Sequence, residues 1–145
     1  MELAFEASPL LPDPLDTVYD YYVLLELAAT GPVDLAGMLE HLLEQGMASG
    51  AVLDGVLASS SVQSNQLWQI RESMVEGQRL RGHHLRTDVS VPISSIAACV
   101  ELAIGGVTAL SPESTVIAYG HIGDGNLHIN AVSYTHLTLP TIYSV

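Results

Sequence analysis

The segment at residues 119–130 reads YGHIGDGNLHIN, and the rest of the chain is arranged around it. Its two histidines, His121 and His128, are seven residues apart, so one uninterrupted strand would direct them to opposite faces. The sequence Gly123-Asp124-Gly125 between them suits a tight corner, because glycine accepts positive φ and aspartate favours turns. We therefore expect a strand, a corner and a second strand, with both imidazoles on one side.

Two neutral imidazoles brought together in this way form half of a site for a first-row transition metal, with zinc as the default choice. The alternative is that each histidine only hydrogen-bonds to nearby backbone, since two histidines seven apart are a weak pattern by themselves. The density of polar groups between the apolar residues of this segment favours a site.

The charge distribution excludes one class of partner and suggests another. The 145 residues contain 16 acidic side chains, no lysine and four arginines, for a net charge of −12. This balance argues against nucleic acid or an anionic membrane surface as a partner. All four arginines fall within residues 71–86, and this clustering favours an anion-binding site there.

The hydropathy is high for a single domain, with 48% apolar residues and a mean hydropathy of +0.34. No apolar run is expected to reach the length of a membrane span, so no transmembrane segment is predicted. The excess instead predicts a surface that another domain or a partner covers. A start that is neither basic nor strongly apolar gives no sign of a secretory signal.

Apolar periodicity predicts an alternating order of strands and helices after a linker at residues 1–18. Strands are predicted at 19–29, 51–58, 85–91 and 114–119. Helices are predicted from a cap at Asp34 to about residue 46, from 59 to 80, and from Pro92 to a weak point at Gly105-Gly106. The alternating polarity of the third strand favours an α+β fold with an antiparallel or mixed four-stranded sheet and helices packed on one face.

Residues 120–130 resemble the signature of the FAD-linked oxidase C-terminal (cap) domain. That family includes D-2-hydroxyglutarate dehydrogenases, D-lactate dehydrogenases and the FAD-linked subunit of glycolate oxidase. The resemblance extends to LWQIRE at 67–72 and DVSVP at 88–92, and it covers about residues 20–132. It implies a cap, taken as residues 19–132, over a flavin (FAD) that a separate preceding domain holds.

The resemblance also implies roles for individual residues. His121 and His128 would bind a divalent metal that grips a small 2-hydroxy acid substrate. Arg71 would pair with a substrate carboxylate, Asn130 matches the family's amide beside the second metal histidine, and Arg86 stands where the family usually has lysine. Val75 replaces a threonine that contacts substrate in D-2-hydroxyglutarate dehydrogenases, so D-lactate, glycolate and D-2-hydroxyglutarate all stay open as substrates.

The family's flavin-binding domain and its later Glu-His-Gly segment have no counterpart in the sequence, so we expect a fragment that is inactive alone. Residues 133–145, which include His136, resemble nothing in the family and are expected to be an unrelated tail. A cytoplasmic location is expected, or a mitochondrial one in a eukaryotic host. Two other functions stay open, namely a non-catalytic α+β binding or regulatory module and a zinc-dependent hydrolase that needs a further protein ligand.

Overall fold

The computed structural model describes residues 1–133. The chain divides into two compact units, residues 1–76 and residues 77 onward, which are described separately. The predicted tail lies outside the described residues from position 134, as does His136.

The first unit is built on helices. They are α1 (Glu2–Ala7), α2 (Leu35–Ala48) and most of α3 (Ser61–Leu80). The predicted cap of α2 is confirmed, because the Asp34 carboxylate accepts a hydrogen bond of 2.9 Å from the backbone N–H of Gly37. Helix α1 lies in the segment predicted to be a loop, and it forms there because Leu3 and Ala4 are buried.

The strands predicted at 19–29 and 51–58 are wrong, because neither segment has regular secondary structure. A run of apolar β-formers indicates burial, but a strand also needs a neighbour to pair its backbone groups. In the first segment Tyr21 and Val23 are 79% and 70% exposed. Side-chain hydrogen bonds hold these segments instead. The Tyr19 hydroxyl donates to Asp54 (3.1 Å), and the Trp68 indole donates to Glu26 (3.0 Å).

The second unit contains a three-stranded antiparallel sheet. After α3 come β1 (His83–Ser90), a 3₁₀ turn (Ile93–Ser95), α4 (Ile96–Leu110), β2 (Thr115–His121), a second 3₁₀ turn (Ile122–Asp124) and β3 (Asn126–Ser133). The strand order is β1-β3-β2, and β3 is antiparallel to both neighbours. The predicted α+β class and antiparallel pairing are confirmed, although the sheet has three strands rather than four.

Helix α4 continues through Gly105-Gly106 to Leu110, so the predicted weak point does not end it. Each glycine costs only about 1 kcal/mol relative to alanine in a helix, and α4 also contacts β2 and β3. By length and composition alone, Ile93–Leu110 could cross a membrane, with 18 residues and a mean hydropathy of 1.8. The prediction that no apolar run reaches that length is therefore wrong for this segment, although core helices of soluble proteins have the same character.

The central strand β3 supplies much of the buried surface of the second unit. Its odd-numbered residues are buried on one face of the sheet (Leu127, Ile129 and Ala131). On the other face Asn130 and Val132 are buried, while His128 is half-exposed. The face that carries His128 is thus closed at one end and accessible at the other.

The corner between β2 and β3 depends on Gly125. Its φ is +72°, in the left-handed region that glycine tolerates best, and the Asp124 carboxylate accepts a 2.9 Å hydrogen bond from the N–H of Asn126. A Cβ on Gly125 would lie 2.0 Å from the carbonyl oxygen of Val91, just after β1. The corner predicted at Gly123-Asp124-Gly125 is confirmed, but only Gly125 has a positive φ.

We expect Gly125→Ala to lower the free energy of unfolding by about 2 kcal/mol or more. The new methyl group would force a strained φ and collide with the Val91 carbonyl. Gly123→Ala is the matched control, because a Cβ there meets nothing within 4 Å. Urea denaturation followed by circular dichroism measures both variants. Equal decreases in unfolding free energy for Gly123→Ala and Gly125→Ala would contradict the conclusion that the corner depends on Gly125.

Candidate functional site

The two signature histidines lie on the same face of the sheet. His121 pairs with Asn126 across the β2–β3 hairpin, and Asn126 precedes His128 by two residues on β3. Residues two apart on a strand share a face, so His121 and His128 are diagonal neighbours, at a typical separation of roughly 7–8 Å. That spacing is within the reach of two imidazole side chains that converge on one ion.

The His128 ring is held from both sides by neighbouring strands. Its Nδ1 donates a hydrogen bond to the Asp88 carboxylate of β1, and its ring centroid lies 5.0 Å from that of Tyr119 on β2. His128 is 28% exposed and Asp88 is 72% exposed. Because Nδ1 donates to a carboxylate, the neutral ring has its lone pair on Nε2. Histidines that bind metals in proteins are commonly held in the same way.

Next to this row lies a second row of polar residues on the same face. Arg86 on β1 pairs with Asn130 on β3. The Asn130 amide is 2% exposed, and its Nδ2 donates a 2.6 Å hydrogen bond to Oε1 of Gln78 near the end of α3. Gln78 is 1% exposed, and its Nε2 is buried without a hydrogen-bond partner. Arg86 is exposed, and its Nε donates to the ring of His84 at 2.5 Å.

The structure therefore brings four of the five residues predicted for the site onto one face of one sheet: His121, His128, Asn130 and Arg86. Arg71 lies on α3 in the first unit, half-buried and engaged by other groups. Within residues 1–133, no cluster of three or more histidine, cysteine, aspartate or glutamate side chains is placed to hold a metal ion. The two imidazoles of the described face, His121 and His128, therefore belong to no such cluster.

Three residues at this face had no role assigned from sequence. Asp88 and His84 lie on β1, and Gln78 lies on α3 and contacts the face through Asn130. Asp88 falls within the DVSVP segment that resembles the family, but its contact depends on β1 pairing with β3. That pairing joins residues 40 apart, and no spacing pattern in the sequence reveals it. Alternating polarity from Leu85 to Val91 was the one available signal that Arg86 and Asp88 share a face.

The second unit is thus an α+β domain in which one sheet face carries two imidazoles, a guanidinium and a buried amide. The family model described as "FAD linked oxidases, C-terminal domain" matches residues 1–136. The chain belongs to this family.

Curated relatives of this chain support the same family assignment. The chain is 39% identical over 115 residues to the mitochondrial D-2-hydroxyglutarate dehydrogenase of Bos taurus, an alignment that covers 78% of this chain and 20% of that protein. It is 37% identical over 119 residues to the D-2-hydroxyglutarate dehydrogenase of Xanthomonas citri pv. viticola, covering 82% of this chain and 25% of the relative. The chain thus spans about a fifth to a quarter of the length of these relatives.

The buried amide pair predicts an energetic coupling between Gln78 and Asn130. Gln78→Met leaves a buried donor on Asn130 without its acceptor, which costs about 1–3 kcal/mol. Asn130→Leu should likewise destabilise the protein. The decrease in unfolding free energy of the double variant should be smaller than the sum of the two single decreases, because it removes both polar partners. The difference should be at least about 0.5 kcal/mol, on the order of typical contact couplings.

Unfolding free energies of the four proteins in this cycle measure the coupling. Gln69→Met is the control, since Gln69 lies on the same helix and is exposed. Gln69→Met should change the free energy of unfolding very little, and its effect should add to that of Asn130→Leu. Additive losses for Gln78 and Asn130 would show that their hydrogen bond contributes nothing to stability.

Proposed function

We propose that this chain is part of the cap of an FAD-linked 2-hydroxy acid dehydrogenase, and that the face of β3 carrying His128 binds a metal and the substrate. The observation that carries the proposal is the orientation of His128, whose Nδ1 is engaged by Asp88 while His121 lies on the same face. The family and the names of the relatives support the oxidoreductase chemistry. The flavin is assigned to the rest of the longer protein.

The residues of this chain that would hold the metal are His121 and His128. They fit a borderline metal such as Zn²⁺ because imidazole is a preferred ligand and the carboxylate of Asp88 fixes one ring in the ligating tautomer. A metal held there would supply Lewis-acid chemistry, which lowers the pKa of a bound hydroxyl group. Asp88 keeps the His128 ring from rotating away, so it acts on the metal through the histidine.

The residues that would orient the substrate are cationic or amide side chains. Arg86 lies on the same face as the histidines and can donate two parallel hydrogen bonds to a carboxylate. Asn130 lies between Arg86 and β2, where its amide, fixed by Gln78, lines the floor of that face. The role of Arg71 as a second carboxylate partner rests on the resemblance of residues 67–72. FAD, if bound by the remainder of the protein, would supply the hydride acceptor for the oxidation of a 2-hydroxy acid.

We assign D-2-hydroxyglutarate as the substrate, with D-lactate and glycolate as the alternatives. The names of the relatives support this assignment. Val75 removes one hydroxyl donor that the resemblance places near the substrate, and we expect weaker binding as a result. The names of the relatives from eukaryotes support a mitochondrial location in a eukaryotic host.

The metal assignment predicts selective effects of Co²⁺, a paramagnetic substitute for Zn²⁺, on the NMR spectrum of this chain. The imidazole signals of His121 and His128 should broaden first as Co²⁺ is added. His121→Ala and His128→Ala should each weaken binding at least tenfold, and Asp88→Asn should weaken it by roughly 10–100-fold, the usual effect of removing a group that orients a ligand.

His41→Ala is the control for the Co²⁺ titration, because His41 lies on α2 and bonds only to Gln45 among the contacts described. If this variant lost as much affinity as His128→Ala, the metal would be bound non-specifically. Equal broadening of all imidazoles would lead to the same conclusion.

The substrate assignment predicts the activity of an exchange variant. In it, the 119 matched residues of the Xanthomonas citri enzyme are replaced by those of this chain. The FAD-loaded protein should reduce a dye with D-2-hydroxyglutarate, His128→Ala should abolish this, and Val75→Thr should lower KM. This chain alone should reduce no dye.

Three outcomes of the exchange experiment are distinguishable once the variant is shown to be folded and to contain FAD. Activity with D-lactate but not D-2-hydroxyglutarate would correct the substrate. Inactivity with every 2-hydroxy acid would contradict the proposed function. Full activity of His128→Ala would contradict the metal assignment alone.

A further inference from the structure

A pair of hydrogen bonds on β1 links His84 to Arg86. The Nε–H of Arg86 donates to Nε2 of His84 at 2.5 Å, and Nδ1 of His84 lies 3.2 Å from the carbonyl oxygen of Gly82. A carbonyl only accepts, so Nδ1 carries the proton. Nε2 then has the lone pair that the guanidinium requires. One neutral tautomer of His84 therefore satisfies both bonds at once.

This arrangement decides which edge of Arg86 is available to a ligand. A guanidinium can bind a carboxylate through its Nε–Nη edge or through its terminal pair of Nη groups. With Nε engaged by His84, the terminal Nη pair is the edge that stays available. Because Arg86 is exposed, its long side chain would otherwise sample many rotamers, and the bond to a half-buried histidine restricts them.

We propose that His84 is a positioning residue for Arg86, which it holds with the terminal edge of the guanidinium available to a ligand carboxylate. The ligand part of this inference rests on the proposed function, in which Arg86 binds the substrate. The bond between the two side chains does not depend on that function. The lysine that the family usually has here ends in a single ammonium group. It therefore has no second hydrogen-bonding edge that a neighbour could fix in this way.

The hydrogen bond can be tested by NMR on the full chain labelled with ¹⁵N. Only four arginine Nε–H signals are expected, one for each arginine of the sequence. The Arg86 signal should shift in His84→Ala and stay close to its original position in His84→Gln, whose side-chain oxygen also accepts a hydrogen bond. His41→Gln is the control and should leave it unchanged. An Arg86 signal indifferent to His84→Ala would overturn the inference.

Binding of D-2-hydroxyglutarate, followed on the same spectra, tests the positioning role. His84→Ala should weaken affinity roughly fivefold, the equivalent of one ordinary hydrogen bond, and His84→Gln, which keeps an acceptor for Arg86, should restore it. Unchanged affinity in His84→Ala alone would overturn the positioning role and leave the proposed function intact. Unchanged affinity in Arg86→Ala, or no binding to the unmodified chain, would remove Arg86 from the proposed function and the inference with it.

Discussion

The second unit depends on the close approach between the Gly125 corner and the backbone that follows β1. The N–H of Val91 donates a 3.0 Å hydrogen bond to the Gly125 carbonyl, and the Val91 carbonyl occupies the space that a Cβ of residue 125 would need. This contact ties the turn of one hairpin to the end of the strand on the other side of β3. It thereby fixes the register of all three strands. A slip of one residue would move every side chain to the opposite face of the sheet.

The candidate site follows from that register. Because β3 pairs with both neighbours, each of its residues on the site face lies between one side chain of β1 and one of β2. Asp88, His128 and Tyr119 form one such row, and Arg86, Asn130 and Ile117 form the next. The contact between Asp88 and His128 is partly exposed and contributes little to stability, whereas the bond from Asn130 to Gln78 is buried. Their value is geometric, since a paired sheet holds each side chain at a set distance from its neighbours.

The sequence was sufficient for some of these features and not for others. The corner at Gly125 and the cap at Asp34 could be predicted, because both depend on residues close together in the chain. The strands predicted at 19–29 and 51–58 are wrong for a different reason. An apolar run indicates burial, but it does not show which neighbouring strand would pair with its backbone. The roles of Asp88 and Gln78 could not be predicted, because their contacts with His128 and Asn130 join residues 40 and 52 positions apart.

The strand order also has a consequence for the path of folding. Strands β2 and β3 are joined by a single short turn, whereas β1 and β3 are separated by α4 and all of β2. Hairpins of this kind form in about 1–10 μs, while distant pairings wait for a larger loop to close. We therefore expect β1 to add last, to a β3 whose edge is unpaired until then. During that interval the free edge of β3 is open to pairing with another chain, and in the complete sheet β1 takes its place as the edge strand.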